Sequence, residues 1–258
     1  MNDAKLKTAP EKTLKVSIWR GLEDGSFVDY EVPLRANQTV LDIVTEVQQN
    51  QEPDLAYRFA CRVGVCGSCA MTVNGRPCWT CRSHVNDVID GDRLVLEPLR
   101  SHPLIRDLVV DLAAFFDTWK NSGAVFKSTA TRLDKPANIT ADEPARKNAD
   151  AGIECINCAV CYSACDVVAW DKNYLGPAAL NRAWTLVNDV RHGERKETLN
   201  KALGDGGCGS CHSMSNCTRS CPVGLSPSAG IAGLKKMALR GLPDIDSHRV
   251  YSLGAEKP

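Results

Sequence analysis

The chain has 258 residues, and its 31 lysines and arginines are balanced by 31 aspartates and glutamates, so the formal net charge is zero. This balance argues against nucleic acid as the main partner, because phosphate binding needs an excess of basic residues. Hydrophobic residues make up 43% of the chain, enough for a packed core in one large domain or two modest ones. No apolar run approaches the roughly 18–20 residues that span a bilayer, so any membrane contact is expected to be peripheral.

The first part of the chain is predicted to be rich in strands. Its first ten residues are polar and are expected to be frayed. Apolar alternation and turn signals predict strands at 14–18, 27–32, 70–73 and 93–97. Thr39 followed by Asp42 is typical of a capped helix start, and this helix is expected to run to about Gln48. Asn74-Gly75 is a strong turn dipeptide between the later strands.

The remainder is predicted to be helical around a connector. Apolar residues recur at helical spacing over 105–119 and predict an amphipathic helix. Residues 121–150 are rich in Gly, Ser, Thr, Pro and charge, which favours a connector without a core of its own. A further helix is predicted near 177–190, with Pro177 close to its start.

A final helix is predicted from about Ser228 to Arg240. Its apolar face is expected to contain Ile231, Leu234, Met237 and Ala238. The chain therefore has an α+β organisation in two domains, a strand-rich one at residues 1–106 and a helical one at 107–258.

Cysteine is the most unusual feature of the composition, with 13 residues gathered in clusters. A disulfide scaffold, zinc sites and iron–sulfur clusters all deserve consideration. Disulfides are disfavoured, because the count is odd and the polar N-terminus has no apolar segment typical of a secretory signal. Zinc is the alternative for the first cysteine set, but zinc ribbons prefer paired CxxC units on separate hairpins over a C-x4-C-x2-C run.

The first set is Cys61, Cys66 and Cys69, which form C-x4-C-x2-C. This is the spacing of plant-type [2Fe–2S] ferredoxins. Glycines at 64 and 67 allow the backbone to curl closely around such a cluster. The fourth ligand is ambiguous by spacing alone, because Cys78 and Cys81 form a CxxC unit that begins nine residues after Cys69.

The second set comprises two runs that resemble bacterial ferredoxin runs. The first run is C-x2-C-x2-C-x3-C, and in the second Met214 replaces the middle cysteine. In such pairs the last cysteine of each run serves the other cluster. One [4Fe–4S] cluster is therefore predicted on Cys155, Cys158, Cys161 and Cys221. Cys165, Cys211 and Cys217 remain, and three thiolates predict a [3Fe–4S] cluster with one corner free. Cys208 could complete a four-iron cluster there, although an incidental thiol is favoured.

One plant-type cluster followed by a four-iron and a three-iron cluster resembles the iron–sulfur subunit of succinate dehydrogenase and fumarate reductase. The likeness extends from about Thr13 to Arg240 and includes 102–111, 175–180 and 217–224. It implies a β-grasp ferredoxin domain followed by an all-α ferredoxin-like domain. It also implies that Cys81 is the fourth ligand of the [2Fe–2S] cluster.

The resemblance also implies partners. These are an FAD-containing flavoprotein subunit that acts on succinate or fumarate, and a membrane anchor that binds quinone. Electrons would pass from flavin through the three clusters in order to quinone. Trp170 and His212 match residues that the family places at the quinone. Asp166 and Val167 depart from the family's usual proline and serine, which bears on the choice of quinone.

Two other functions fit part of the sequence. A different flavin-dependent dehydrogenase could feed the same relay, but such relatives usually resemble only the helical half. A metal-stabilised scaffold is the other alternative. No glycine fingerprint for a nucleotide is present, so chemistry at carbon is expected on a partner while this chain moves single electrons. The thiols favour a reducing compartment, and the cytoplasmic face of a bacterial inner membrane is the expected location.

Overall fold

The computed structural model describes residues 12–242. The described residues up to Leu99, together with Pro103–Val110, form one compact unit, called here the sheet unit. Arg100–His102 and the described residues from Asp111 onward form a second unit, called here the helical unit. The frayed segment expected at the first ten residues lies outside the described residues.

The sheet unit is built on a five-stranded mixed sheet. Its strands are β1 (Thr13–Arg20), β2 (Ser26–Pro33), β3 (Ala70–Val73), β4 (Arg76–Trp79) and β5 (Arg93–Glu97). They lie in the order β2-β1-β5-β3-β4, with β1 parallel to β5 and the other neighbours antiparallel. The unit also contains helices α1 (Val40–Asn50) and α2 (Val85–Val88). This arrangement is the β-grasp fold, as expected.

Alternation of residue type explains the strand β1. Leu14, Val16 and Ile18 are buried in the core, and Lys15 between them is exposed. Helix α1 closes the same core with the buried side chains Val40, Ile43, Val44 and Val47. The core of this unit is therefore made of aliphatic side chains from the sheet and one helix.

The predicted cap of α1 is confirmed in atomic detail. The Thr39 hydroxyl accepts the Asp42 N–H at 3.2 Å, and the Asp42 carboxylate accepts the Thr39 N–H at 3.0 Å. This reciprocal pair satisfies two N–H groups that the first turn leaves without partners. The helix ends at Asn50, two residues beyond the expected end.

The helix predicted over 105–119 is wrong in its first half. Residues 104–110 instead form a small antiparallel pair, β6 (Leu104–Arg106) and β7 (Val109–Val110). Asp107 between them has φ +50° and is fully buried. Its carboxylate accepts N–H groups from Gly21 at 2.7 Å and Ala56 at 2.8 Å. These long-range bonds hold a turn where the apolar spacing indicated helix.

Helices make up the second unit. They are α3 (Ala113–Asn121), α4 (Pro144–Ile153), α5 (Val160–Ser163), α6 (Asp166–Trp170), α7 (Gly176–Val187), α8 (Arg195–Leu203), α9 (Asn216–Arg219) and α10 (Pro227–Arg240). A 3-10 turn lies at Cys208–Ser210. Helix α3 starts only after Asp111, whose carboxylate accepts the Ala113 N–H at 2.8 Å. The all-α character expected for this part is confirmed.

Helix α7 is the centre of the helical unit. Nearly all its residues are buried, and α3, α4, α5, α8 and α10 contact it. Helix α10 approaches it closely at Gly233, where an added Cβ would lie 2.3 Å from the Trp184 ring. The unit is therefore organised around one helix without a solvent-exposed face of its own.

The helices predicted near 177–190 and 228–240 are confirmed as α7 and α10. Ile231, Leu234 and Met237 are buried as expected, whereas Ala238 is exposed. The segment predicted as a connector contains the first part of α4, which begins at Pro144. The sequence pattern did not indicate this helix, because its small residues give no apolar periodicity. They are small because α4 packs closely on α7, and close packing there needs glycine and alanine. An added Cβ at Gly152 would lie 2.1 Å from the Thr185 hydroxyl.

Candidate metal centres

The first thiol set lies in the loop between α1 and β3 and just after β4. Gly64 and Gly67 have φ of +77° and +70°, a conformation that side chains disfavour. The resulting curl turns backbone N–H groups inward, and those of Val63 and Val65 both reach the Cys61 sulfur at 3.4 Å. The loop is therefore shaped by its glycines to donate hydrogen bonds to sulfur.

These four thiols form two pairs. The N–H groups of Val65 and Val63 lower the pKa of Cys61 to about 6, with a smaller contribution from the Cys66 thiol. Burial raises the pKa of Cys81 to about 11, followed by its contact with Cys69. One pair is thus at the surface and the other is buried. Two pairs of thiolates are what a two-iron cluster requires, since each iron takes two.

Cys78 and Cys81 occupy different surroundings. Cys81 is 6% exposed and clusters with Leu41 and Cys69. Cys78 lies opposite Met71 in the sheet, and its side chain packs against the aliphatic core. Burial raises the pKa of the Cys78 thiol. The two cysteines that sequence spacing left equivalent therefore differ in position, because Cys78 lies on β4 and Cys81 follows the end of that strand.

The second thiol set surrounds a cavity in the helical unit. The cavity encloses about 380 Å³, part of it solvent space, and its lining thiols are Cys155, Cys158, Cys161 and Cys221. Burial raises the pKa of Cys158 to about 12 and also raises the pKa of Cys155. Buried thiolates without a counter-charge are unfavourable. A group carrying several cations is the partner that would relieve this cost.

The third set lines a neighbouring cavity of about 310 Å³, which includes solvent space. Its thiols are Cys165, Cys211 and Cys217, and Met214 also lines it. Backbone N–H groups contact these sulfurs too, as that of Ser213 does at Cys211 at 3.4 Å. This cavity therefore offers three thiols, with a thioether at the position of the replaced cysteine.

The donor sets suit iron–sulfur clusters. Among residues 12–242, no three His, Cys, Asp or Glu side chains converge closely enough to share a single metal ion. In the helical unit the thiols ring cavities instead, and in the sheet unit they stand in two pairs. Sulfur-only donors at the rim of a cavity, with N–H groups directed at the sulfurs, match the chemistry that clusters need.

Cys208 lies outside both cavity linings. It is 2% exposed within the 3-10 turn. Burial is the main cause that raises its pKa, with Lys235 and Cys211 as further neighbours. The structure therefore places this thiol behind Cys211, in the packed interior.

The rings of Trp170 and His212 contact each other, and His212 lines the third cavity. Their rings meet edge to face with centroids 6.2 Å apart. Trp170 is 65% exposed, and His212 is exposed and lines the cavity. Asp166 also lines it, and its carboxylate accepts a hydrogen bond from the Asn216 amide at 3.2 Å.

Sequence reasoning missed two buried polar residues at these cavities. Tyr174 lines the third cavity and Asn181 lines the second, each 1% exposed. The Tyr174 hydroxyl oxygen and the Asn181 Oδ1 have no hydrogen-bond partner among the described residues. No sequence signal marks either of them, because one falls between a tryptophan and a Gly-Pro pair and the other within an apolar helix.

A β-grasp domain with one thiol set and a helical domain with two define an iron–sulfur protein of the two-domain ferredoxin type. Comparison with known families agrees. The 2Fe-2S iron-sulfur cluster binding domain family matches residues 14–117, and the 4Fe-4S dicluster domain family matches residues 154–226.

Curated relatives and a solved structure extend the likeness over most of the chain. The fumarate reductase iron-sulfur subunit of Escherichia coli O6:H1 is 34% identical over 78% of this chain and 82% of its own. That of Mycobacterium tuberculosis is 36% identical over 83% and 86%. A chain of the Mycobacterium smegmatis Sdh1 complex in the apo form has a TM-score of 0.77 at 27% identity, covering 91% of this chain and 99% of that chain.

This chain belongs to the family of iron–sulfur subunits of fumarate reductase and succinate dehydrogenase. It is the iron–sulfur subunit of an oxidoreductase of that class and carries [2Fe–2S] and [4Fe–4S] centres, with the [3Fe–4S] centre of the family. The expectations of family, fold and cofactors are thereby confirmed. No helix among residues 12–242 is long and apolar enough to cross a membrane.

Proposed function

We propose that this chain carries single electrons between an FAD-containing flavoprotein subunit, the site of succinate or fumarate chemistry, and quinone held by a membrane anchor. The proposed domains, residues 1–106 and 107–258, each hold their own clusters. The anchor would keep the chain at the cytoplasmic face of a bacterial inner membrane. The observation that carries the proposal is the presence of three separate sets of thiols. Two of these sets contain four thiols each, and the third contains three.

The proposed ligands follow from these sets. Cys61 and Cys66 hold one iron of the [2Fe–2S] cluster, and Cys69 and Cys81 hold the other. The [4Fe–4S] cluster takes the four thiols of the second set, Cys155, Cys158, Cys161 and Cys221. The [3Fe–4S] cluster takes Cys165, Cys211 and Cys217. When bound, the clusters supply one-electron redox chemistry, and the chain supplies thiolates and N–H donors that tune it.

The flavoprotein is proposed to dock on the first thiol loop. Val63 and Val65 are 62% and 65% exposed beside the exposed Cys66. Apolar side chains on a polar loop are typical of a surface that a partner covers. Docking there would bring the donor next to the most exposed thiol pair.

Quinone is proposed to bind where Trp170 and His212 meet. The indole N–H and the imidazole can each donate to a quinone oxygen. The His212 ring lines the cavity of three thiols, and the Trp170 ring contacts His212. Electrons would leave the chain there.

Low-temperature EPR of native membranes tests the proposal, with membranes of a strain lacking this chain as the control. A chain-dependent oxidised three-iron signal is expected. Addition of succinate should remove it and produce a reduced [2Fe–2S] signal. Reduction by dithionite but not by succinate would contradict the succinate assignment. Loss of the three-iron signal with reduction by succinate intact would instead point to Cys208 as an extra ligand.

A further inference from the structure

The third cavity contains a buried hydroxyl group without a partner. Tyr174 is 1% exposed, and its hydroxyl oxygen is shielded from solvent with no hydrogen bond of full geometry to any described residue. An unsatisfied buried hydroxyl costs about 1–3 kcal/mol. A donor of this kind persists where it has a partner that protein atoms do not supply.

The surroundings of Tyr174 identify that partner as sulfur. Its side chain lines the cavity together with Cys165, Cys211 and Cys217. Burial is the main cause that raises the pKa of Tyr174, and the thiols of Cys211 and Cys165 follow, with a contact to Cys211 close enough to contribute. A tyrosine hydroxyl keeps its proton near neutral pH and can donate it in a hydrogen bond.

The backbone holds Tyr174 in this position from both sides. Its N–H donates to the Asp171 carbonyl at 3.2 Å, and the next N–H, that of Leu175, donates to Gly206 at 2.8 Å. Gly206 is pressed so closely that an added Cβ would lie 2.0 Å from the Asn173 carbonyl oxygen. The backbone at Tyr174 is therefore fixed, and the side chain it carries is 1% exposed within the packed interior.

We propose that the Tyr174 hydroxyl donates a hydrogen bond to a sulfur of the cluster held by Cys165, Cys211 and Cys217, and that this bond raises the cluster's reduction potential. The inference rests on the cluster assignment of the proposed function. A donor to cluster sulfur stabilises the reduced state, because that state carries one more negative charge on its sulfurs. Tyr174 is a positioning residue, because it affects electron transfer only through its hydrogen bond to the cluster.

Tyr174→Phe removes the hydroxyl and keeps the ring. In EPR redox titrations of the intact membrane complex, the reduced-to-oxidised ratio of the three-iron cluster at fixed potential should fall about tenfold, equivalent to about 59 mV for one electron. The [2Fe–2S] and [4Fe–4S] potentials in the same samples serve as internal controls. Tyr30→Phe is the matched control, since the Tyr30 hydroxyl bonds Arg20 and Glu52 in the sheet unit. It should leave the three-iron ratio unchanged.

A second replacement tests the same bond in the opposite direction. Exchange of Tyr174 for 3-fluorotyrosine makes the hydroxyl a stronger donor at nearly the same size, and should raise the ratio. This measurement decides the matter if Tyr174→Phe fails to assemble its cluster. A three-iron potential unmoved by the replacements overturns the role of Tyr174 while leaving the proposed function standing. Absence of any three-iron signal from the unaltered chain overturns the three-iron assignment and with it the role of Tyr174, whereas the proposed function fails only if succinate reduces none of the clusters.

Discussion

The two units surround their thiols in opposite ways. In the sheet unit, Cys61 and Cys66 lie in a loop at the edge of an aliphatic core. That core consists mostly of side chains other than cysteine. In the helical unit, two sets of thiols line cavities between helices. The sheet unit can thus be stable before its cluster arrives, whereas the helical unit needs its clusters to fill and bridge the cavities.

Helix length points to the same difference. Helices α5, α6 and α9, which lie among the cysteines of the helical unit, have only four or five residues each. Helices this short are not stable by themselves. Metal binding that replaces such missing stability becomes part of the folding free energy. Similar thiol ligands can therefore be an addition to a fold that is stable without its cluster, or a part of what makes another fold stable.

Removal of one thiol from each unit is the strongest test of this comparison. Cys158→Ala should abolish the four-iron cluster and cost the helical unit more than about 3 kcal/mol, because buried thiols and short helices lose their bridge. Cys69→Ala should abolish the [2Fe–2S] cluster while the sheet stays folded. Hydrogen exchange of each unit, with iron content, measures both.

Cys208→Ala is the control for thiol removal, since it deletes a buried thiol that lines neither cavity. Cluster content should be retained in this variant. Equal loss of amide protection in both units after Cys69→Ala and Cys158→Ala would contradict the distinction drawn between them.

Asp107→Ala should give the next largest effect, and within the sheet unit. The fully buried carboxylate accepts two backbone N–H groups and pairs with Arg20 at 3.2 Å. Deleting it leaves two buried N–H groups without an acceptor, whereas Arg20 keeps Glu52 and Asp54 as partners, so the expected cost is about 2–4 kcal/mol. Chemical denaturation followed on the sheet unit measures it. The matched control is Asp24→Ala at an exposed position, which should change stability by less than about 0.5 kcal/mol. A similar loss of stability in both variants would refute the role of Asp107 in holding the turn between β6 and β7.

Gly233→Ala probes the packing of α10 on α7 in the helical unit. The added Cβ would lie 2.3 Å from the Trp184 ring, and overpacking of this kind costs about 1–3 kcal/mol. Gly209→Ala is the matched control, because an added Cβ there has no described atom within 4 Å. Thermal unfolding of the cluster-loaded complex compares the two. Equal melting temperatures would show that the ring moves aside freely.

His102 should make the helical unit sensitive to acid. Burial lowers its pKa to about 4, and neither ring nitrogen has a partner among the described residues. The unfolded chain takes up the proton near pH 6.5 and the folded chain only near pH 4, so stability falls as the pH drops between these values. From pH 7 to pH 5 the loss is about 1–2 kcal/mol.

The variant His102→Phe tests the acid sensitivity. The phenylalanine ring cannot take up a proton, and it can occupy the place where the His102 ring contacts Phe115 and Tyr162. Denaturant unfolding at pH 7 and pH 5 should show a smaller difference than in the unaltered chain. His84→Gln, at an exposed position, should keep the full difference. An unchanged pH dependence in His102→Phe would exclude this histidine as the cause.

Local patterns predicted most of the fold correctly. Strand alternation at Leu14, Val16 and Ile18, the cap at Thr39, and the helix faces of α7 and α10 depend on neighbours within a few residues. The prediction over 105–119 failed because Asp107 gets its partners from Gly21 and Ala56, far away in the sequence. The start of α4 was missed because the small residues that allow it to pack on α7 carry no helical pattern.

Cysteine spacing predicted three sets of thiols, because ferredoxin runs have a fixed spacing and exchange their last cysteines, and the two cavities of the helical unit are lined by the predicted thiols. Only the tertiary structure decided that Cys81 rather than Cys78 lies beside Cys69, and that Tyr174 faces the thiols of the third set. Cys78 packs on the core of the sheet, Cys81 follows the end of the strand and packs with Cys69, and a buried hydroxyl points where distant packing directs it. Both depend on contacts that close across the fold, which no local pattern of residues records.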